Sequence, residues 1–263
     1  MTVWLMYITL GAGAGVLAGL LGVGGGLVIV PVLSFIFTAQ QLPEAHILHL
    51  ALGTSLASII FTSVSSLRAH HGRGAVEWPV VRRLTPGIMV GTFLGSWLAA
   101  QLSTYFLKLF FVLFLFYVSL QMLLDIKPPP QRQLPGSGAL FGVGGVIGGI
   151  SSLVGIGGGS MSVPFLIWCN VAIHRAIGTS AAIGFPIALA GAAGYVVNGL
   201  PISLPPHCWG YVYLPALIGV SAASVATAPL GARLAHSLPI GKLKKIFALL
   251  LIGMGIKMVL GLF

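Results

Sequence analysis

Gly22-Val-Gly24-Gly25-Gly26 is followed five residues after its last glycine by Pro31, and Gly155-Ile-Gly157-Gly158-Gly159 by Pro164 in the same way. A glycine run releases the backbone from helix. Where helix resumes directly after such a run, its first turn offers unpaired N–H groups and the positive end of a dipole. That is the chemistry of an anion cradle that needs no buried lysine. Helix packing is the simpler use of glycine, and it accounts for the four-spaced Gly11, Gly15 and Gly19 and for Gly91 and Gly95. Packing asks for glycines one turn apart, not three in succession. Gly24, Gly25 and Gly26 with Gly157, Gly158 and Gly159 are therefore assigned to substrate binding.

Gly53-Thr54-Ser55 and Gly178-Thr179-Ser180 open the apolar stretches that come next. The hydroxyls of Thr54, Ser55, Thr179 and Ser180 can donate to an oxyanion without the cost of a buried charge. They can equally bond a carbonyl of their own or a neighbouring helix, and both uses fit. His49 and His174 precede the two motifs by about one helical turn. They are placed to gate or titrate, or to cap backbone as boundary histidines. His46 with His49, and His70 with His71, lack further ligands at usable spacing, so no metal is expected. Without Gly-Lys-Ser/Thr or a strand–helix context, the glycine runs do not match a nucleotide loop.

These residues sit in a chain of 263 residues that is 57% hydrophobic and 6% charged. A soluble domain of this size needs more charge on its surface. The composition predicts an all-α polytopic membrane protein with about eight apolar segments, near 3–38, 46–67, 84–102, 105–125, 138–169, 175–197, 209–232 and 243–262. The N-terminal MTVWLMYITL has neither a basic leader nor a cleavage site and is expected to be the first segment. The net charge of +10 fits the basic bias of cytoplasmic loops, not nucleic acid. Cys169 and Cys208, far apart in sequence, are expected to be packing residues. Glu44, Glu77 and Asp125 fall in loops or at a segment end, so no carboxylate is expected mid-membrane, which disfavours a cation carrier and a hydrolase. Lys257 lies inside a segment, either to attract anions or to snorkel outward.

The chain is duplicated. The glycine triplets and their prolines recur at an offset of 133 residues (24 to 157), the His-x3-Gly-Thr-Ser motifs at 125 (49 to 174), and Leu94-Gly95, Leu107-Lys108 and Met122 at 136 (94 to 230). Equivalent loops differ in charge: Arg68, Arg73, Arg82 and Arg83 follow the second segment, whereas Asn198 to Trp209 carry no Lys or Arg. Arg233, Lys242, Lys244 and Lys245 precede the last segment, against Lys108 alone in the first half. Opposite charge in equivalent loops predicts two inverted repeats, 1–126 and 138–263, joined by a cytoplasmic proline-rich linker at 127–137. With Lys127, Arg132 and Arg175 also inside, the first and fifth segments must enter and leave by one face, as glycine-broken, re-entrant hairpins. Their second arms, 27–38 and 160–169, are about 18 and 15 Å long, short of a ~30 Å hydrocarbon core. Both termini are then external, and the plasma membrane (the bacterial inner membrane) is the expected location.

The two Gly-x-Gly-Gly-Gly-x4-Pro segments and the two Gly-Thr-Ser motifs, in the same order in each half, resemble the sulfite exporter TauE/SafE family of membrane transporters. The resemblance covers nearly the whole chain. It implies export, or in some members uptake, of sulfite, thiosulfate, sulfoacetate or other sulfur-containing anions and small organic acids, without a cofactor. Leu27 stands where the second half has Ser160, so a hydroxyl contributed to the substrate at that position is one-sided. The expected function is a secondary transporter that exports a small sulfur-containing anion by alternating access. An anion channel, an uptake carrier for an organic acid, and a non-transporting scaffold or enzyme are the alternatives. Expected partners are the small anion, membrane lipid and a possible homo-oligomer, with no nucleic acid.

Overall fold

The computed structural model of the chain describes residues 2–22, 24–124, 133–237 and 240–261. Over these the fold is helical: α1 (Thr2–Leu21), α2 (Gly26–Ala39), α3 (Ile47–His71), α4 (Trp78–Gln101), α5 (Thr104–Leu123), α6 (Ser137–Val154), α7 (Gly159–Trp168), α8 (Ile173–Gly199), α9 (Leu214–Ser237) and α10 (Ile240–Leu260). A two-residue hairpin, β1 (Cys208–Trp209) and β2 (Val212–Tyr213), precedes α9. Most of the linker expected at 127–137 lies outside the described residues, as do Asp125, Lys127 and Arg132. Residues 133–136 lead without regular structure into α6.

Among the described residues, six helices are long and apolar enough to cross a membrane: Thr2–Leu21, Glu44–His71 (α3 with the short turn before it), Thr104–Leu123, Ser137–Val154, Ile173–Gly199 and Leu214–Ala235. The first and fifth expected segments each divide at their glycines, leaving α2 and α7 as shorter apolar helices. These run about 21 and 15 Å. The third expected segment, α4, begins earlier than hydropathy indicates because Trp78-Pro79 starts it, proline being suited to a helix's first turn. Arg82, Arg83 and interspersed Gly, Thr and Ser dilute its apolar character.

The packing is reciprocal between the first five helices and the last five. Helix α1 lies on α9, and α6 lies on α4. Helices α3 and α8 pack on each other, as do α5 and α10. Where α3 touches α9, α8 touches α4. The four-spaced glycines are the seams of the first two pairs. A methyl on Gly11, Gly15 or Gly19 would run into the backbone of Val220, Ser224 or Ala228, and one on Gly91 into that of Gly145. Removing Cβ at each turn lets the backbones close to direct contact.

The ends of the bundle differ in character. At one end Arg68 and Arg73 of the α3 terminus share a groove with Arg233 of α9, and Arg175 at the start of α8 pairs with Glu77 just before α4. At the other end the Nε2–H of His49 donates to the Ala99 carbonyl (3.1 Å), while Thr104 donates to the Ala45 carbonyl (2.5 Å), joining the start of α3 to α4 and α5. Lys257 lies toward this second end, its Nζ 4.4 Å from the centre of the Phe35 ring near the end of α2.

Candidate functional site

Each glycine run makes the same local structure. Helix α1 stops at Leu21, and Gly25 caps α2 with φ 77°, a left-handed conformation that side chains rarely adopt. Helix α6 stops at Val154, and Gly158 caps α7 with φ 76°. The Gly25 carbonyl accepts from the N–H groups of Val28 (3.0 Å) and Ile29 (3.1 Å), and that of Gly158 from Met161 (3.1 Å) and Ser162 (2.9 Å). Helix geometry leaves the N–H groups of Gly26 and Leu27, and of Gly159 and Ser160, without a carbonyl inside their own helices. All of these residues are buried.

The two turns meet, backbone on backbone. A Cβ on Gly24 would stand 3.1 Å from both the Cα and the N of Gly157. One on Gly26 would overlap the Gly155 carbonyl and stand 2.8 Å from the Ile156 Cα. Residues 129 to 133 positions apart thus form one junction, with the starts of α2 and α7 at its edges.

The Gly-Thr-Ser motifs hold this junction by a reciprocal clamp. Gly53 lies so close to the Tyr211 carbonyl, and Gly178 to the Ala75 carbonyl, that a methyl on either would overlap it. The Thr54 hydroxyl oxygen accepts from the Tyr213 N–H (2.9 Å), and that of Thr179 from the Glu77 N–H (2.9 Å). Ser55 donates to the Gly155 carbonyl (2.8 Å), and Ser180 to the Gly22 carbonyl (3.0 Å). Each motif therefore seats a loop of the opposite half with its glycine and threonine, and fixes the opposite glycine turn with its serine. All four hydroxyls are fully buried and already engaged with backbone.

The junction is unequal in polarity. Ser160, at the start of α7, is 6% exposed and its hydroxyl has no protein partner, while Leu27 occupies the matching place on α2. Ser151, in the last turn of α6, also lacks a hydroxyl partner, and its Oγ lies 3.3 Å from where a Cβ on Gly158 would be. Ser162, one turn along from Gly159, donates to Ser180 (2.8 Å). Ser151 was not among the residues singled out by motif. Its signal was there, a serine pair (Ser151-Ser152) interrupting an otherwise apolar, glycine-rich run. Tyr195, fully buried and donating to the Ser152 carbonyl (3.0 Å), was also missed.

The two histidines differ. His49 is buried, bonded to Ala99 and stacked on Tyr211 at 5.0 Å, whereas His174 is exposed. His46 also lies against Tyr211. Among the described residues no group of three or more His, Cys, Asp or Glu could hold a metal ion. Cys169 is buried and Cys208 half-buried, and neither is in a disulfide.

Apolar helices of membrane-crossing length around a buried, glycine-built backbone junction define a multi-pass membrane protein in class. The sulfite exporter TauE/SafE family matches residues 7–258, and the chain belongs to that family. It is 39% identical to a probable membrane transporter protein of Haemophilus influenzae, over 97% of this chain and 98% of the relative. It is 27% identical to the probable membrane transporter protein YunE of Bacillus subtilis, over 78% of this chain and 85% of the relative. A probable membrane transporter protein of Methanocaldococcus jannaschii is likewise 27% identical, over 86% and 81%. No solved structure matches the chain significantly.

Proposed function

We propose that this multi-pass membrane transporter is a secondary carrier that exports a small sulfur-containing anion, such as sulfite, thiosulfate or an organosulfonate like sulfoacetate, by alternating access. The observation that carries the proposal is the buried meeting of the two glycine turns, with the Ser160 hydroxyl unpartnered at the start of α7. The free N–H groups at the starts of α7 and α2 and the Ser160 hydroxyl are the donors offered to the anion. Ser55 and Ser180 hold the two glycine turns by their carbonyls, and Thr54 and Thr179 seat the loops of the opposite half beside them. Ser151 lies beside the junction.

The helix pairing supports two inverted halves, since the main contacts are reciprocal: α1 on α9 as α6 on α4, α3 on α9 as α8 on α4, and α2 on α3 as α7 on α8. Re-entrant hairpins opening to opposite ends are supported by two further observations. Gln40, just after α2, donates to the Tyr7 hydroxyl near the start of α1 (2.8 Å). Gln133 and Leu134, before α6, line one cleft with Cys169 and Asn170, after α7. With the arginine-bearing end in the cytoplasm, both termini are external in the plasma membrane. The anion approaches from the basic end, and rocking of one half against the other opens the buried junction to the far side. An interior-negative potential favours an exiting anion by about 2.3 kcal/mol per charge per 100 mV, so export needs no coupled ion.

Efflux of radiolabelled sulfite, thiosulfate and sulfoacetate from proteoliposomes tests this. Saturable efflux of at least one of them, accelerated by an anion on the opposite side, is the expected result. Efflux that does not saturate would replace the carrier by a channel. No flux of any of the three would remove the substrate class.

A further inference from the structure

A groove of about 900 Å³ runs along the membrane-facing seam between the basic ends of α3 and α9. Its inner part is apolar, with Phe61, Val225 and Pro229 in the wall, and Phe61 is 50% exposed to the surroundings. Its outer part is lined by three guanidinium groups, Arg68 and Arg73 of the α3 terminus and Arg233 of α9. No Asp or Glu is among the described residues that line the groove. From Phe61 to Arg68 the helix rises about 10 Å, and to its end at His71, just before Arg73, about 15 Å. That matches half of a ~30 Å hydrocarbon core, one leaflet. The floor is fixed, because Ser65 donates to the Val225 carbonyl (2.8 Å) and Thr62 shares a hydrogen bond with Ser224 (2.6 Å).

We propose that this groove is a binding site for an anionic phospholipid, its phosphate held by Arg68, Arg73 and Arg233 and one acyl chain lying along Phe61 and Val225. Charge complementarity and amphipathic length select that occupant. A small hydrophilic anion has no use for the apolar part, and a zwitterionic lipid gains less from a wall that carries three cations. The site is separate from the glycine junction and does not depend on what the junction carries.

Native mass spectrometry of the purified protein, titrated with phosphatidylglycerol or phosphatidylcholine, tests the proposal. Wild type is expected to bind phosphatidylglycerol about tenfold more tightly than phosphatidylcholine. R68Q/R233Q should lose that preference while R68K/R233K keeps most of it. R82Q/R83Q, which removes a basic pair outside the groove, should retain it. An unchanged preference in R68Q/R233Q would overturn the proposal, as would an equal loss in R82Q/R83Q. Displacement of bound phosphatidylglycerol by millimolar sulfite would also overturn it, marking the groove as a portal for the small anion.

Discussion

Ser55 and Ser180 each place a hydroxyl on a glycine-turn carbonyl of the opposite half. Replacing either by alanine leaves a buried carbonyl without its donor, which costs about 1–3 kcal/mol. Ser180→Ala should cost more than Ser55→Ala, since Ser162 loses its acceptor as well. Thermal unfolding in detergent measures both, and equal melting temperatures for the two variants would contradict the asymmetry. Burial also pushes the Cys208 thiol up to about 11. Only the thiolate reacts, so maleimide labelling of Cys208 should keep rising by about tenfold per pH unit from pH 7 to 10, whereas an ordinary thiol levels off above about 8.5. A plateau near pH 9 would contradict that environment. Of these residue roles, the sequence allowed the Gly-Thr-Ser hydroxyls either a ligand or a backbone. Their backbone partners lie 100 to 159 positions away, those of Thr54 and Thr179 in segments (208–213 and 72–77) that do not resemble each other and those of Ser55 and Ser180 at Gly155 and Gly22, so no local pattern could name them.

The elements were largely legible because glycine spacing separates two uses. Glycines four apart became the α1–α9 and α4–α6 seams, and glycines in succession became turns. Gly91→Leu should therefore wedge α4 from α6 and lower the melting temperature or prevent assembly. Gly142→Ala, on the same α6 but with nothing within 4 Å, should be neutral or stabilise by about 1 kcal/mol. Similar losses in both would refute the seam. Gly158→Val forces a branched residue into a left-handed cap against Ile187. Flux should be abolished while the protein stays in the membrane, as read by efflux alongside membrane fractionation; normal flux would sink the cradle. Element ends were less legible. Helix α4 starts at Trp78 because Pro79 suits a first turn, a signal independent of hydropathy.

For the whole molecule, composition and the ordered duplication were enough to predict a helical membrane protein, and membership of the sulfite exporter TauE/SafE family agrees. How the halves interlock was not legible, since contact between Gly24 and Gly157 is a consequence of packing, not of any sequence near either glycine. If the account holds, an imposed interior-negative potential should speed anion efflux and an interior-positive one slow it, which valinomycin-clamped proteoliposomes would measure. The central claim is that one anion site lies at the junction of the glycine turns, with Ser160 as its side-chain donor. Counterflow of labelled sulfite into sulfite-loaded proteoliposomes, at zero potential, compares wild type with Ser160→Ala. Loss of a hydrogen bond to a charged ligand costs about 1.5–3 kcal/mol. The predicted result is a counterflow overshoot in wild type and a half-saturation concentration raised about tenfold or more in the variant; an unchanged half-saturation and rate in Ser160→Ala would contradict the account.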